Sequence, residues 1–72
     1  MIMASFSVNS SNLDTVDYDP WSGTLIIAFH SGWVYEYYGV PAWVCEGLAR
    51  ADSPGRFHHE HIKFNYRYRR IA

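Results

Sequence analysis

Residues 24–38 read Thr-Leu-Ile-Ile-Ala-Phe-His-Ser-Gly-Trp-Val-Tyr-Glu-Tyr-Tyr, two β-rich runs joined by a short polar break that contains a glycine. Branched and aromatic side chains suit a pleated surface, and a Ser-Gly connection between two such runs signals a hairpin. The first run, Thr24 to Phe29, is apolar on both faces and predicts a central strand covered on two sides. In the second, alternation puts Trp33, Tyr35 and Tyr37 on one face and Val34, Glu36 and Tyr38 on the other. One face of this strand is therefore aromatic throughout.

Upstream, Asp19-Pro20-Trp21-Ser22-Gly23 has the chemistry of a turn: Asp can bond its own backbone, Pro presets φ and Gly tolerates positive φ. Before it, Ser5 to Val8 and Leu13 to Tyr18 alternate around the polar break Asn9-Ser10-Ser11-Asn12, which predicts two short strands or one bent one. Downstream, Gly39 ends the hairpin and Pro41 opens a helix over residues 41–50 with Val44, Cys45 and Leu48 on its inner side. Ser53 as cap and Pro54 in the first turn start a second helix, with Phe57, His61 and Ile62 expected as its buried stripe. From Phe64 the period returns to two, so Phe64, Tyr66 and Tyr68 are expected on one face and Asn65, Arg67 and Arg69 on the other. The sum is a single α+β domain over residues 1–72, an antiparallel sheet of about four or five short strands with one or two short helices on one face.

A chain of 72 residues leaves no room for a second domain and buries only about 60% of the surface it exposes when unfolded. Thirteen aromatic residues among those 72 supply enough contact area to close a small core without staples. Cys45 is the one cysteine, so an internal disulfide is impossible and a reducing, cytoplasmic setting is expected. The start, Met1-Ile2-Met3-Ala4, lacks the basic and long apolar segments of a signal peptide, and no run is long enough to predict a membrane span. The net charge of −1 conceals an asymmetry: residues 63–72 hold Lys63, Arg67, Arg69 and Arg70 without an acid, whereas all seven acids lie before them. Positive charge gathered at one end favours phosphates or an acidic partner, although short basic segments are commonly just solvated.

The ordered set of these features resembles the KTSC domain, a family of about 60 residues found at the C-terminus of some lysyl-tRNA synthetases and as free-standing small proteins. The resemblance is carried by Ser10-Ser11-Asn12-Leu13, Tyr18-Asp19-Pro20, Leu25 to Phe29, Gly32 with Tyr35-Glu36-Tyr37, Val40-Pro41, Leu48 with Ser53 and Gly55, and Ile62 with Tyr66 and Tyr68. Its recognisable centre is a Tyr-x-Tyr element, here Tyr35 and Tyr37. The family has no established activity to carry over; the resemblance implies RNA binding only by association with synthetases. His58-His59 departs from the pattern, which has an apolar or aromatic residue followed by Asn, and this puts the packing of the second helix in question.

No residue stands out as catalytic, and no cofactor is implied. The run His58-His59-Glu60-His61 offers metal-binding side chains, but two ligands on one helix face make no closed site, and the spaced His pair of zinc proteases is absent. Cys45 sits between inward-facing neighbours and reads as packing. The residue types of metal-independent RNA cleavage occur in His58, His61 and Arg67, with nothing in the spacing to assemble them. Aromatic residues interleaved with cations are the more informative pattern. Sheets that bind single-stranded nucleic acid present flat rings for base stacking beside cations for phosphates. Here Tyr35, Tyr37, Tyr66 and Tyr68, joined by Trp33, supply the rings, and Lys63, Arg67, Arg69 and Arg70 supply the charge. The competing use of those rings is to fill the core. The first functional expectation is thus an RNA- or nucleic-acid-binding module without enzymatic activity. The alternatives are a protein-interaction or homodimer surface through Trp21, Trp33, Trp43 or the Tyr face, and a pocket for a nucleotide-like small ligand.

Overall fold

The computed structural model describes residues 4–72; Met1-Ile2-Met3, which bear on the expected lack of a signal peptide, lie outside them. Five strands, β1 (Ala4–Ser7), β2 (Leu13–Asp19), β3 (Thr24–Phe29), β4 (Val34–Tyr37) and β5 (Tyr68–Arg70), form one antiparallel sheet in the order β1-β2-β3-β4-β5. Between β4 and β5 come α1 (Ala42–Arg50) and α2 (Pro54–Phe57), the latter continued by a π-helical turn over His58–Ile62. The predicted α+β architecture, with helices on one face of a five-stranded sheet, is what forms.

Local chemistry explains the turns. Asp19 accepts from Gly23 N–H through its carbonyl at 2.9 Å and from Trp21 N–H through Oδ1 at 2.9 Å, and Gly23 takes φ +73°. A side chain at Gly23 would also meet the backbone of Val40 at 3.3 Å, so close approach and handedness both select glycine. Between β1 and β2, Ser10 Oγ accepts from the backbone N–H groups of Asn12 and Leu13, each at 3.1 Å. This is the hydroxyl-to-backbone bonding that competes with regular structure and favours loops. Ser53 caps α2 as expected, its hydroxyl accepting from Arg56 N–H.

Register settles which side chains share a face. Val16 pairs with Ile27, Tyr18 with Leu25, Ile27 with Tyr35 and Leu25 with Tyr37, so these six side chains line the helix side of the sheet. Val44, Cys45 and Leu48 of α1 and Ile62 of the π turn close over them, with Leu13 and Val40 completing the core. At about 1.5–3 kcal/mol for each fully buried large apolar side chain, this cluster is the main stabilising term. The buried Tyr18 hydroxyl donates to Val40 carbonyl at 2.6 Å, which satisfies it.

Three expectations need correction. The central strand is not covered on two sides: burial alternates along β3, and Ile26 and Ala28 on the far face are only half-buried because both helices lie on the other side. In the second helical segment the buried pair is His58 and Ile62, while His61 is exposed and packs its ring on Phe57. Ile62 commands the interior, and the residue one wide turn before it is His58. Finally, residues 64–66 are not strand. Asn65 closes the helical segment, its N–H donating to Ile62 carbonyl and its side-chain amide to His61 carbonyl, so regular pairing begins only near Arg67, whose carbonyl accepts from Tyr38 N–H.

Candidate nucleic-acid interface

The sheet is wider than its helical cover. At the end of β4 nearest the β3–β4 hairpin, the helix-side face is left open, and a cleft of about 430 Å³ forms there between the sheet and the π turn. One wall is the aromatic face of the hairpin with β5. Trp33 and Tyr35 stack with centroids 6.3 Å apart, Tyr35 and Tyr68 at 5.5 Å, and Phe29 meets Tyr35 edge-on at 5.8 Å. The opposite wall comes from His58, His59, Lys63 and Phe64. Alternation along β4 and the pairing of Tyr37 with Tyr68 build the first wall. The π turn, with Lys63 N–H donating to His58 carbonyl at 2.8 Å, builds the second, as such turns often do at functional sites.

At the floor, Tyr37 Oη lies 2.8 Å from His58 Nε2. Burial, followed by neighbouring Tyr35 and Tyr68, pushes the Tyr37 phenol up to about 12, so it is protonated at neutral pH. Burial, helped by the charges of Lys63 and His59, pulls His58 down to about 4, so its ring is neutral. We therefore assign the phenol as donor to Nε2, which leaves the ring proton on Nδ1. No sealed side-chain nitrogen or oxygen among the described residues lacks a partner. His58 also lines the cleft.

The eight residues expected to bind nucleic acid divide. Tyr35, Tyr37, Lys63 and Tyr68 line the cleft together. Their exposure differs: Tyr37 is 2% exposed and belongs to the core, Tyr35 is half-buried, and Tyr68 is 57% exposed. Arg70, paired with Tyr35 across the sheet, reaches the rim with its guanidinium 4.4 Å above the Trp33 ring. Tyr66 packs against the hydrophobic core instead and does not join the wall. Arg69 pairs with Glu36 on the opposite face, where its Nη2 donates to Oε1 at 3.3 Å, and exposed Arg67 immediately precedes the strand, outside the cleft. Sequence reasoning missed Phe29, Phe64, His58 and His59 as cleft residues. The double histidine that breaks the family pattern was the available signal.

Away from the cleft, Cys45 is buried and its thiol is pushed up, first by burial and then by Glu46, as befits packing. Among the described residues no group of three or more His, Cys, Asp or Glu side chains is placed to hold a metal ion, and no helix is long and apolar enough to cross a membrane.

A lysine–tRNA ligase from Nostoc sp. is 40% identical over 55 residues, which cover 76% of this chain and 10% of the ligase, so the chain spans about a tenth of that enzyme. An uncharacterised protein from Stutzerimonas stutzeri is 40% identical over 70 residues and is matched over 99% of its length. The crystal structure of a KTSC domain protein from Yersinia pestis superposes with a TM-score of 0.89 at 35% identity, covering 99% of this chain and all of that one. The KTSC domain model itself matches residues 9–66, and a match of that extent, with a solved relative of the same length and fold, places this chain in the KTSC domain family.

Proposed function

We propose that this protein is a non-catalytic binding module that takes unpaired RNA bases into the cleft between β4, β5 and the π turn. The observation that carries the reading is the coincidence, in one concave place, of exposed flat rings with cations. Trp33 and Tyr68 present half or more of their surface, and Lys63 and Arg70 stand beside them. Base stacking on such rings contributes about 1–3 kcal/mol per base, and the cations offset phosphate charge. The cleft volume falls within the usual range for sites that enclose small flat groups. Three relatives are lysine–tRNA ligases, enzymes whose name includes an RNA substrate, which supports the same direction. Titrating the protein with fluorescently labelled single-stranded RNA tests it: binding at low salt that drops at least fivefold in Tyr68→Ala is expected. Absence of binding at both low and moderate salt rejects the reading.

A second reading, a protein contact, is favoured by a different place. At the opposite end of β3, Trp21 is 80% exposed on the β2–β3 turn and Trp43 is 66% exposed at the start of α1, two large rings that monomeric surfaces seldom leave open together. Sedimentation over a wide concentration range addresses its homodimer form, for which a mass that stays monomeric throughout is the contrary result.

A further inference from the structure

We infer that the cleft accommodates one unpaired nucleotide, at an RNA end, in a bulge or free in solution, and does not track a continuous strand. The inference rests on the RNA-binding reading above and sharpens its ligand. Size is the first argument. A volume of about 430 Å³ lies near the lower end of small-ligand sites, whereas grooves that follow single strands typically engage about 4–16 nucleotides.

Charge is the second argument. Of the four C-terminal cations, Lys63 lines the cleft and Arg70 lies over the Trp33 ring at its edge, its Nε also donating to Ala72 carbonyl at 3.1 Å. Arg69 is on the other face of the sheet and held by Glu36, so it cannot serve the same phosphate run. Two cations match the one or two phosphates that flank a single nucleotide. The lining agrees with this count, since the stacked Tyr35–Tyr68 pair, Phe64 and His58 all border the same small cleft.

Salt dependence separates one nucleotide from a tracked strand. With two phosphates neutralised, the logarithmic slope is about −1.4, so raising salt from about 50 to 200 mM weakens binding about sevenfold; if all four cations worked on one strand, the loss would be about 50-fold. The experiment measures binding of the 72-residue protein to four probes: a blunt RNA duplex, the same duplex with one unpaired 3′ nucleotide, a single-stranded RNA of about a dozen nucleotides, and 5′-AMP as competitor. The expected result is that the overhang duplex binds within about threefold of the single strand, the blunt duplex at least tenfold more weakly, and both binding probes show the sevenfold salt loss. Displacement by 5′-AMP at similar concentration supports the one-nucleotide site and identifies a free nucleotide as sufficient. A single strand that binds far more tightly than the overhang duplex, with a salt loss near 50-fold, overturns the inference and leaves RNA binding intact. If no RNA binds, the underlying reading fails with it. Lys63→Ala is expected to halve the salt slope, and R67A is expected to leave it unchanged; the reverse pattern also overturns the site.

Discussion

Acid should destabilise this domain through one residue. His58 is 6% exposed, neutral, and hydrogen-bonded to Tyr37 in the folded state, where burial holds it near 4 against an ordinary value of 6.5. Because the folded value is the lower one, the unfolded chain binds the extra proton between these limits. Stability is therefore complete above about pH 6.5, falls as pH drops toward 4, and loses nothing further from this residue below that. The full loss is about 3 kcal/mol, of which roughly 1 kcal/mol is already gone at about pH 5.5. A domain of this length has only about 4–11 kcal/mol in total, so the effect is a sizeable fraction. Urea denaturation followed by tryptophan fluorescence at about pH 7.5, 5.5 and 4.5 measures it directly. His58→Phe supplies the control, because it keeps an aromatic ring against Phe29 and removes the titration. It should be less stable than wild type at neutral pH by about 1–3 kcal/mol, since the Tyr37 hydroxyl loses its partner, yet flatter with pH. A wild-type midpoint that stays constant between pH 7.5 and 4.5, or a variant with the same slope, refutes the buried neutral imidazole.

Other consequences are quickly tested. Gly47→Ala places a methyl 2.6 Å from Phe57 Cζ, so the ring must leave its place beside His61, and a loss of about 1–3 kcal/mol by thermal denaturation is expected. The same change made in Phe57→Ala should cost much less, since the obstruction is gone. Leu48→Ala, at a fully buried site in α1, should lower stability by about 2–5 kcal/mol, enough to leave much of the protein unfolded at 37 °C. Tyr66→Ala should destabilise the fold without changing the salt slope of RNA binding, whereas Tyr68→Ala should weaken RNA binding and leave the melting temperature within a few degrees.

How much of this was legible without coordinates differs by residue. The hairpin was, because alternation and turn chemistry are local: Trp33, Tyr35 and Tyr37 had to share a face once residues 33–38 were extended. The Asp19–Gly23 turn and the Ser53 cap were readable for the same reason. The end of the second helix was not. A period-two pattern in Phe64, Tyr66 and Tyr68 is real in the sequence, but Asn65 bonds back to His61 and Ile62 and overrides it. No local signal separates a strand from a capped turn there. Cation placement was equally hidden, because alternation along Lys63–Arg70 says which cations share a face only after the start of β5 is known.

Core packing and ligand contact compete for the tyrosines, and the fold arranges these rings as a gradient of exposure along one layer. Tyr37 sits under the π turn with its hydroxyl bonded to His58, Tyr35 is half-covered, and Tyr68 and Trp33 stand open at the rim, yet successive rings touch. The buried end fixes the position of the open end. A ring that must meet a ligand in one orientation gains from a neighbour that cannot move, because less side-chain freedom remains to be lost on binding. This explains how a Tyr-x-Tyr pair can belong to the interior and still shape a surface. It also ties the two halves of the molecule's chemistry together: protonating His58 would loosen Tyr37, and through Tyr35 the wall on which a base would rest. RNA affinity is therefore expected to decline on acidification over the same interval as stability, and affinity that holds at pH values where the urea midpoint has already fallen would show that the outer rings are positioned independently of the floor.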